Sequence, residues 1–341
     1  LKLFNNYFNL NLSERINAFE KLGNFCRQLV EKKNNSIFKS ISKENEFFTK
    51  ESVIHALLSI SEILTKSKIE KWIFSYDLSL LRKPKNVGVF LAGNIPLVGF
   101  HDFLCVLILN HNFFGKLSSK DSVIFKYLVE NLLIIEPRFK SKIFFQSNVL
   151  HSDMFICTGN DFSAKYFDFL LKPKPRVIRD SKTSIAILDG EETKQDIKLL
   201  MKDIFLYYGL GCRNVSKLYI PRNYDFQLIK NFFLDYSHLL KHSFYFDNYI
   251  YNQSIYSLKK EFFLDFESIL LIETKELFSP ISVLYYEYYD DLDDVLFDFS
   301  KIQCIISKAN DNKSVFFGES QRPSLHDYAD NIDTIDFLLK N

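Results

Sequence analysis

Asn86-Val87-Gly88-Val89-Phe90-Leu91-Ala92-Gly93 decides the fold class. Before it, apolar residues recur at spacings of three and four, as in residues 16–33 and 52–66, which predicts helices. At Asn86 the pattern becomes a short run with valines that ends on glycine, the mark of a buried strand running into a ligand-facing loop. Further on, helical spacing over residues 100–112 gives way to a strand-like run at 113–119. A helix from Ser122 to Ile135 stops near Pro137, and strands at 142–146 and 153–159 precede a helix at 161–171. Two more strands follow, at 176–180 and 183–188. Strands alternating with helices predict an α/β protein whose sheet is mostly parallel and covered on both faces.

After Asp189 a second unit begins, with a long helix over 191–209, a strand at 216–221 and a helix near Phe226 to Leu240. Several strands are expected after that. Residues 281–299 combine a strand with the start of an acidic helix, and 302–308 form a late strand. The chain is near neutral, with 43 Lys plus Arg against 42 Asp plus Glu, so it lacks the basic footprint of a nucleic-acid binder. The most apolar stretch, 87–109, is interrupted by Asn94, Pro96, His101 and Asp102. A membrane span needs about 20 largely uninterrupted apolar residues, so none is expected. The first residues carry charges among their apolar positions and lack a secretory core. The five cysteines are widely spaced and form no CxxC pair, which argues against zinc and disulfide frameworks. A reduced, cytoplasmic protein is the expectation.

Two segments carry chemistry. Gly209-Leu210-Gly211-Cys212-Arg213-Asn214 follows a helix and precedes a strand, so flexible glycines would present a thiol on a tight turn. Leu91-Ala92-Gly93-Asn94-Ile95-Pro96-Leu97 sets an asparagine at a strand end. Read alone, the cysteine is a buried spacer and the asparagine part of a plain turn. His238 and His242 lack the HExxH context of a metal site, and Asp290, Asp291, Asp293 and Asp294 suit a solvated helix start.

Taken in order, these segments resemble the aldehyde dehydrogenase superfamily. Within it they are most similar to the acyl-CoA reductases that include the fatty-acid reductase of bacterial bioluminescence. The resemblance covers most of the chain from about Asn86 to Leu339. It implies an aldehyde-dehydrogenase-like fold of two α/β domains with mostly parallel sheets. Residues 1–189 would hold N-terminal helices and a dinucleotide-binding domain, 190–316 the cysteine domain and 317–341 a return segment. Cys212 would be the nucleophile, with Asn94 donating to the oxyanion. Lys217 stands where the family usually has arginine. The cofactor, NADPH or NADH, would be held by Lys116, Ser118, Thr158, Gly159, Glu276 and Phe278. Glu276-Leu277-Phe278-Ser279-Pro280 matches the family's glutamate-x-phenylalanine-glycine-proline motif, with serine for glycine. The residues 317–323 and 328–330 resemble the closing segment and receive no catalytic role.

Arg179 falls where hydrolytic members carry a glutamate base. A residue that stays charged cannot deprotonate water, so the resemblance points away from oxidation of aldehyde to acid. It implies an acyl-CoA substrate, an acyl-activating or acyl-transfer enzyme as partner, and a homo-oligomer. The same residues would serve a reductase of an acyl phosphate or a carrier-protein thioester, and a degenerate copy would be a non-catalytic scaffold.

Overall fold

Residues 10–32, 35–81, 83–292, 295–308 and 314–341 are described by a computed structural model. The chain divides into two units, the first comprising residues up to Asp180 together with Pro323–Asn341, the second Ser181–Arg322. The first boundary precedes residue 189 because the strand at Thr183–Ile187 already hydrogen-bonds within the second sheet. The return to unit 1 begins at Pro323 rather than at residue 317, since Gly318 and Ser320 are bonded inside unit 2.

Among the described residues unit 1 begins with four helices, α1 (Leu12–Glu31), α2 (Asn35–Glu44), α3 (Lys50–Ile63) and α4 (Lys66–Ile73). Asn11 and Glu14 cap α1 reciprocally, which satisfies two end amides, and Ile16, Phe19, Leu22, Cys26 and Leu29 line its buried face. The sheet that follows has the order β3-β2-β1-β4-β5 and is parallel throughout. Its elements are β1 (Asn86–Phe90), α5 (Phe100–Ile108), β2 (Asn112–Lys116), α6 (Ser122–Ile135), β3 (Ile143–Phe145), β4 (Met154–Thr158), α7 (Asp161–Leu171) and β5 (Arg176–Arg179). One sheet face packs Val87, Val89, Phe113, Met154 and Ile156 against the helical layer. On the other face Phe155 and Cys157 meet Leu171 and Phe167 of α7. The link from β3 to β4, residues 146–153, contains no helix, so Phe90 and Phe114 on that face stay half-buried. A closing helix, Thr334–Lys340, completes the unit.

Among the described residues unit 2 is built on a seven-stranded sheet of order β12-β11-β6-β7-β10-β9-β8, in which the β8–β9 pair is antiparallel and the other pairs are parallel. The strands are β6 (Thr183–Ile187), β7 (Val215–Pro221), β8 (Leu264–Asp265), β9 (Leu270–Glu273), β10 (Val283–Tyr289), β11 (Ile302–Ile306) and β12 (Ser314–Val315). Its helices are α8 (Lys194–Phe205), α9 (Gln227–Leu234) and α10 (Ser243–Lys259).

Two expectations are corrected here. Residues after Leu240 form α10, a 17-residue helix, before any strand. Its aromatic composition favours strands, yet Tyr245, Tyr249, Asn252 and Tyr256 recur at helical spacing and are buried. Tyr245 donates to the Ser268 carbonyl at 2.8 Å and Asn252 to that of Ile281 at 3.0 Å. The acidic run after β10 forms no α-helix among the described residues; Asp290 instead pairs with Arg222 at 2.7 Å. Asp293 and Asp294 lie outside the described residues.

Candidate active site

In unit 1 the strand order changes direction between β1 and β4, which is the place where the loops at the carboxyl end of an open α/β sheet part and ligands bind. Five of the candidate residues gather at that end. Asn94 is exposed on the loop after β1, Lys116 ends β2 with Ser118 just beyond, and Thr158 ends β4 with Gly159 after it. The Lys116 ammonium stands 5.6 Å from the Phe90 ring centroid.

The loops are knitted together. A side chain at Gly93 would collide with Ser118 Oγ, so glycine is what lets the Asn94 loop touch the Ser118 loop. Asp121 Oδ2 accepts the Leu97 amide at 2.9 Å, holding Leu97 in a left-handed conformation (φ 60°). Burial drives the Asp121 carboxyl well above its ordinary range. On the β4 side, Asn160 caps α7 by accepting the Ser163 amide at 2.9 Å, which sets Gly159 at a helix N-terminus suited to an anion.

Arg179 is buried on β5 beside Thr158 of β4. Asp102 of α5 binds its guanidinium bidentately at 2.6 and 2.9 Å, and it donates to Thr334 Oγ1 at 2.8 Å. Burial opposes its charge, but the Asp102 carboxylate prevails and the group is held above its ordinary range. Arg179 is thus a charged structural member of unit 1.

In unit 2, Cys212 is the one cysteine of five that is not buried. Burial pushes the thiols of Cys26 and Cys157 up to about 12 and that of Cys105 well above its ordinary value. The Cys212 turn begins where α8 breaks: Tyr207, Tyr208 and Gly209 are left-handed in succession (φ 56°, 58° and 76°). Ser184 of β6 donates to the Cys212 carbonyl at 3.0 Å and accepts the Cys304 amide at 3.1 Å.

The strand after the turn carries the rest of the cluster. Ser216 donates to the Leu277 carbonyl at 2.5 Å and accepts Thr183 Oγ1 at 2.7 Å, so the Glu276–Phe278 loop lies against the start of β7. Glu276 and Phe278 are exposed, and Glu276 borders an open cleft of about 800 Å³ with Arg222, Tyr256 and Tyr285. Lys217 points into the protein: it is wholly buried, with Nζ 2.6 Å from Glu287 and 4.9 Å from the Tyr219 ring. Burial lowers its pKa and Glu287 partly restores it. The candidates therefore form two groups, one in each unit.

Sequence reasoning missed Ser184, Ser216, Asn214, Asp203 and Asp102. Asp102 left a signal, an acid inside an apolar helical run that needs a partner. Asp203, in the last turn of α8, accepts Gly318 N at 2.6 Å and Ser320 Oγ at 2.7 Å. Burial pushes its carboxyl up to about 6, against an ordinary 3.8, despite these bonds. The folded carboxyl binds its proton more tightly than the unfolded one, so this stabilisation is full below about pH 4 and fades as pH rises through 6. The stability advantage of the wild type over Asp203→Asn should therefore be larger at pH 4 than at pH 7. Thermal melts of both proteins at the two values check it, and an equal advantage at both would refute it.

Among the described residues no group of three or more His, Cys, Asp or Glu could hold a metal, and no helix is long and apolar enough to cross a membrane. No family model matches the chain, and no curated protein matches it by sequence. Solved structures do match. The NAD+ complex of an aldehyde dehydrogenase from Bacillus cereus superposes with a TM-score of 0.62 at 11% identity, over 89% of this chain and 72% of that one. A glyceraldehyde-3-phosphate dehydrogenase from Methanocaldococcus jannaschii, complexed with NADP, gives 0.62 at 12%, over 89% and 77%. Aldehyde dehydrogenase 21 from Physcomitrella patens, in complex with the reaction product succinate, gives 0.62 at 14%, over 88% and 74%. The chain has the aldehyde dehydrogenase fold.

Proposed function

We propose that this protein is a cytoplasmic oxidoreductase that uses NADPH or NADH to reduce an acyl-CoA thioester to the aldehyde through a thioester on Cys212. The observation that carries the reading is the half-exposed Cys212 on a turn gripped from both sides, while every other cysteine is buried. The bound nucleotides of the Bacillus and Methanocaldococcus structures belong to those proteins. The carboxyl end of the unit 1 sheet suits such a cofactor: the strand order reverses there between β1 and β4, Gly159 stands at a helix N-terminus, and Lys116 and Ser118 lie at the same end. Glu276 and Phe278 would hold its nicotinamide end. When bound, the cofactor supplies a hydride.

The Cys212 thiolate attacks the acyl carbonyl, a carbon–sulfur bond to the enzyme forms, and CoA leaves as a thiolate that takes up a proton. The Asn94 amide donates to the oxyanion. With the hydride that a bound cofactor would supply, the enzyme thioester would become a tetrahedral oxyanion whose collapse would return Cys212 as thiolate and release aldehyde. Two moderate barriers replace one high one. Arg179, ion-paired with Asp102, offers no base for hydrolysing the thioester. An acyl-activating or acyl-transfer enzyme would supply the substrate, and a second copy of the chain would complete a homo-oligomer.

The test follows NADPH and NADH absorbance with acyl-CoAs from acetyl to palmitoyl, together with free CoA and aldehyde. Consumption with stoichiometric thiol is the expected result, and Asn94→Ala should lower kcat by about 10²–10³-fold, the worth of one oxyanion donor. Turnover with acyl phosphate or a carrier-protein thioester alone would shift the substrate class. If neither cofactor is consumed and Cys212 resists alkylation, the protein is a scaffold on this fold.

A further inference from the structure

We infer that Asn214 is the positioning residue of the Cys212 turn, and that its carboxamide sets where the thiol stands. This deepens the reading of Cys212 as nucleophile and rests on it. The side chain is 2% exposed and every polar atom in it is used. Its Oδ1 accepts the Gly211 amide at 2.9 Å, one residue before the cysteine. Its Nδ2 donates to the carbonyls of Asp203, Ile204 and Leu206 at 3.1, 3.2 and 2.6 Å.

Those carbonyls belong to the end of α8, where the helix gives out because the next residues turn left-handed. Terminal helix carbonyls have no partner within their own helix and need one from elsewhere. One amide group therefore does two jobs: it caps α8 and it clasps the turn to that cap. The Asn214 main-chain amide adds a second clasp, donating to the Gly211 carbonyl at 3.0 Å and closing the loop around Cys212 and Arg213. Ser184 fixes the Cys212 carbonyl from the sheet side. The peptide before Cys212 is thus referenced to a helix and the peptide after it to a strand.

No other side chain of this size supplies both functions. Aspartate keeps the acceptor but sets a negative charge against three carbonyl oxygens, and leucine keeps only the volume. A thiol displaced by about 1 Å from its productive position can lose on the order of 10²-fold in rate. A residue that merely stabilised unit 2 would change the melt and leave the folded enzyme's chemistry alone.

The experiment compares wild type with Asn214→Ala and Asn214→Gln by three readouts: alkylation of Cys212 by iodoacetamide followed by peptide mass spectrometry, kcat and KM with an acyl-CoA, and the far-UV circular dichroism melt. A folded Asn214→Ala should show an altered Cys212 alkylation rate and a kcat lower by about 10²-fold with KM within about three-fold. Asn214→Gln, which retains both hydrogen-bonding ends one methylene further out, should recover part of that loss. A folded variant with unchanged alkylation and unchanged kcat overturns the inference. Should neither variant fold, hydrogen exchange of the wild-type Gly211 amide decides, since slow exchange is required and fast, loop-like exchange is fatal to the idea. Alkylation and amide exchange need neither cofactor nor acyl substrate. Absent turnover in the wild type would therefore sink the reductase reading alone, while a position-insensitive Cys212 would sink this one alone.

Discussion

Replacing Cys212 with alanine should abolish reduction of acyl-CoA, lowering kcat by on the order of 10⁴-fold or more, as removal of a covalent nucleophile does elsewhere. Stability should hardly change, because the thiol is half-exposed outside the core and the turn is held through main-chain atoms and Asn214. The shift in unfolding free energy is expected within about 0.5 kcal/mol. Acyl transfer can be read separately by incubating enzyme with acyl-CoA, without cofactor, and weighing the Cys212 peptide. Wild type should gain one acyl group there and release one CoA, and the variant should gain none. Full turnover in Cys212→Ala, or acylation on another cysteine, would remove Cys212 from the chemistry.

The second large effect concerns Asp102→Ala, which strips the buried Arg179 guanidinium of its bidentate carboxylate and leaves it only the weaker field of Asp330. Breaking one side of a buried pair costs about 3–5 kcal/mol, far more than the pair itself contributes. The chain offers a convenient reporter, since Trp72 is its single tryptophan. That indole is fully buried in unit 1 and donates to Tyr328 Oη at 2.8 Å. Urea unfolding followed by its fluorescence therefore reads unit 1 without assuming that the two units unfold together. The midpoint should drop sharply in Asp102→Ala and recover largely in Asp102→Ala combined with Arg179→Met, where no charge is stranded. If the double variant is no more stable than the single one, the cost lies in packing and not in an orphaned charge.

Much of the fold is legible in the residues because local pattern and tertiary burial agree. The helix at Ser122–Ile135 ends where apolar spacing and Pro137 place its end, and β1 is the apolar run before Gly93. α10 is hidden because its tyrosines, phenylalanines and isoleucines also suit strands, and only the burial of Tyr245, Tyr249 and Tyr256 on one face settles the matter. The unit boundary is hidden because no change in composition marks the short passage from β5 to β6. The candidate residues themselves stood out by motif. Their supports did not, because Arg179 finds Asp102 across 77 positions and Asn214 matters only once the end of α8 is known. Contacts of that kind belong to the folded chain and leave no spacing to read.

The division of the chain also dictates an order of assembly during synthesis. Unit 2 is continuous, so all its strands are present once Arg322 has left the ribosome. Unit 1 leaves the ribosome first but lacks Pro323–Asn341, which bring Tyr328 to Trp72 and Thr334 to Arg179. Its helices and sheet must wait, incomplete, while the whole second unit is translated at about 5–20 residues per second. The interior unit can therefore close early, while the residues up to Asp180, made before it, meet partners made after it.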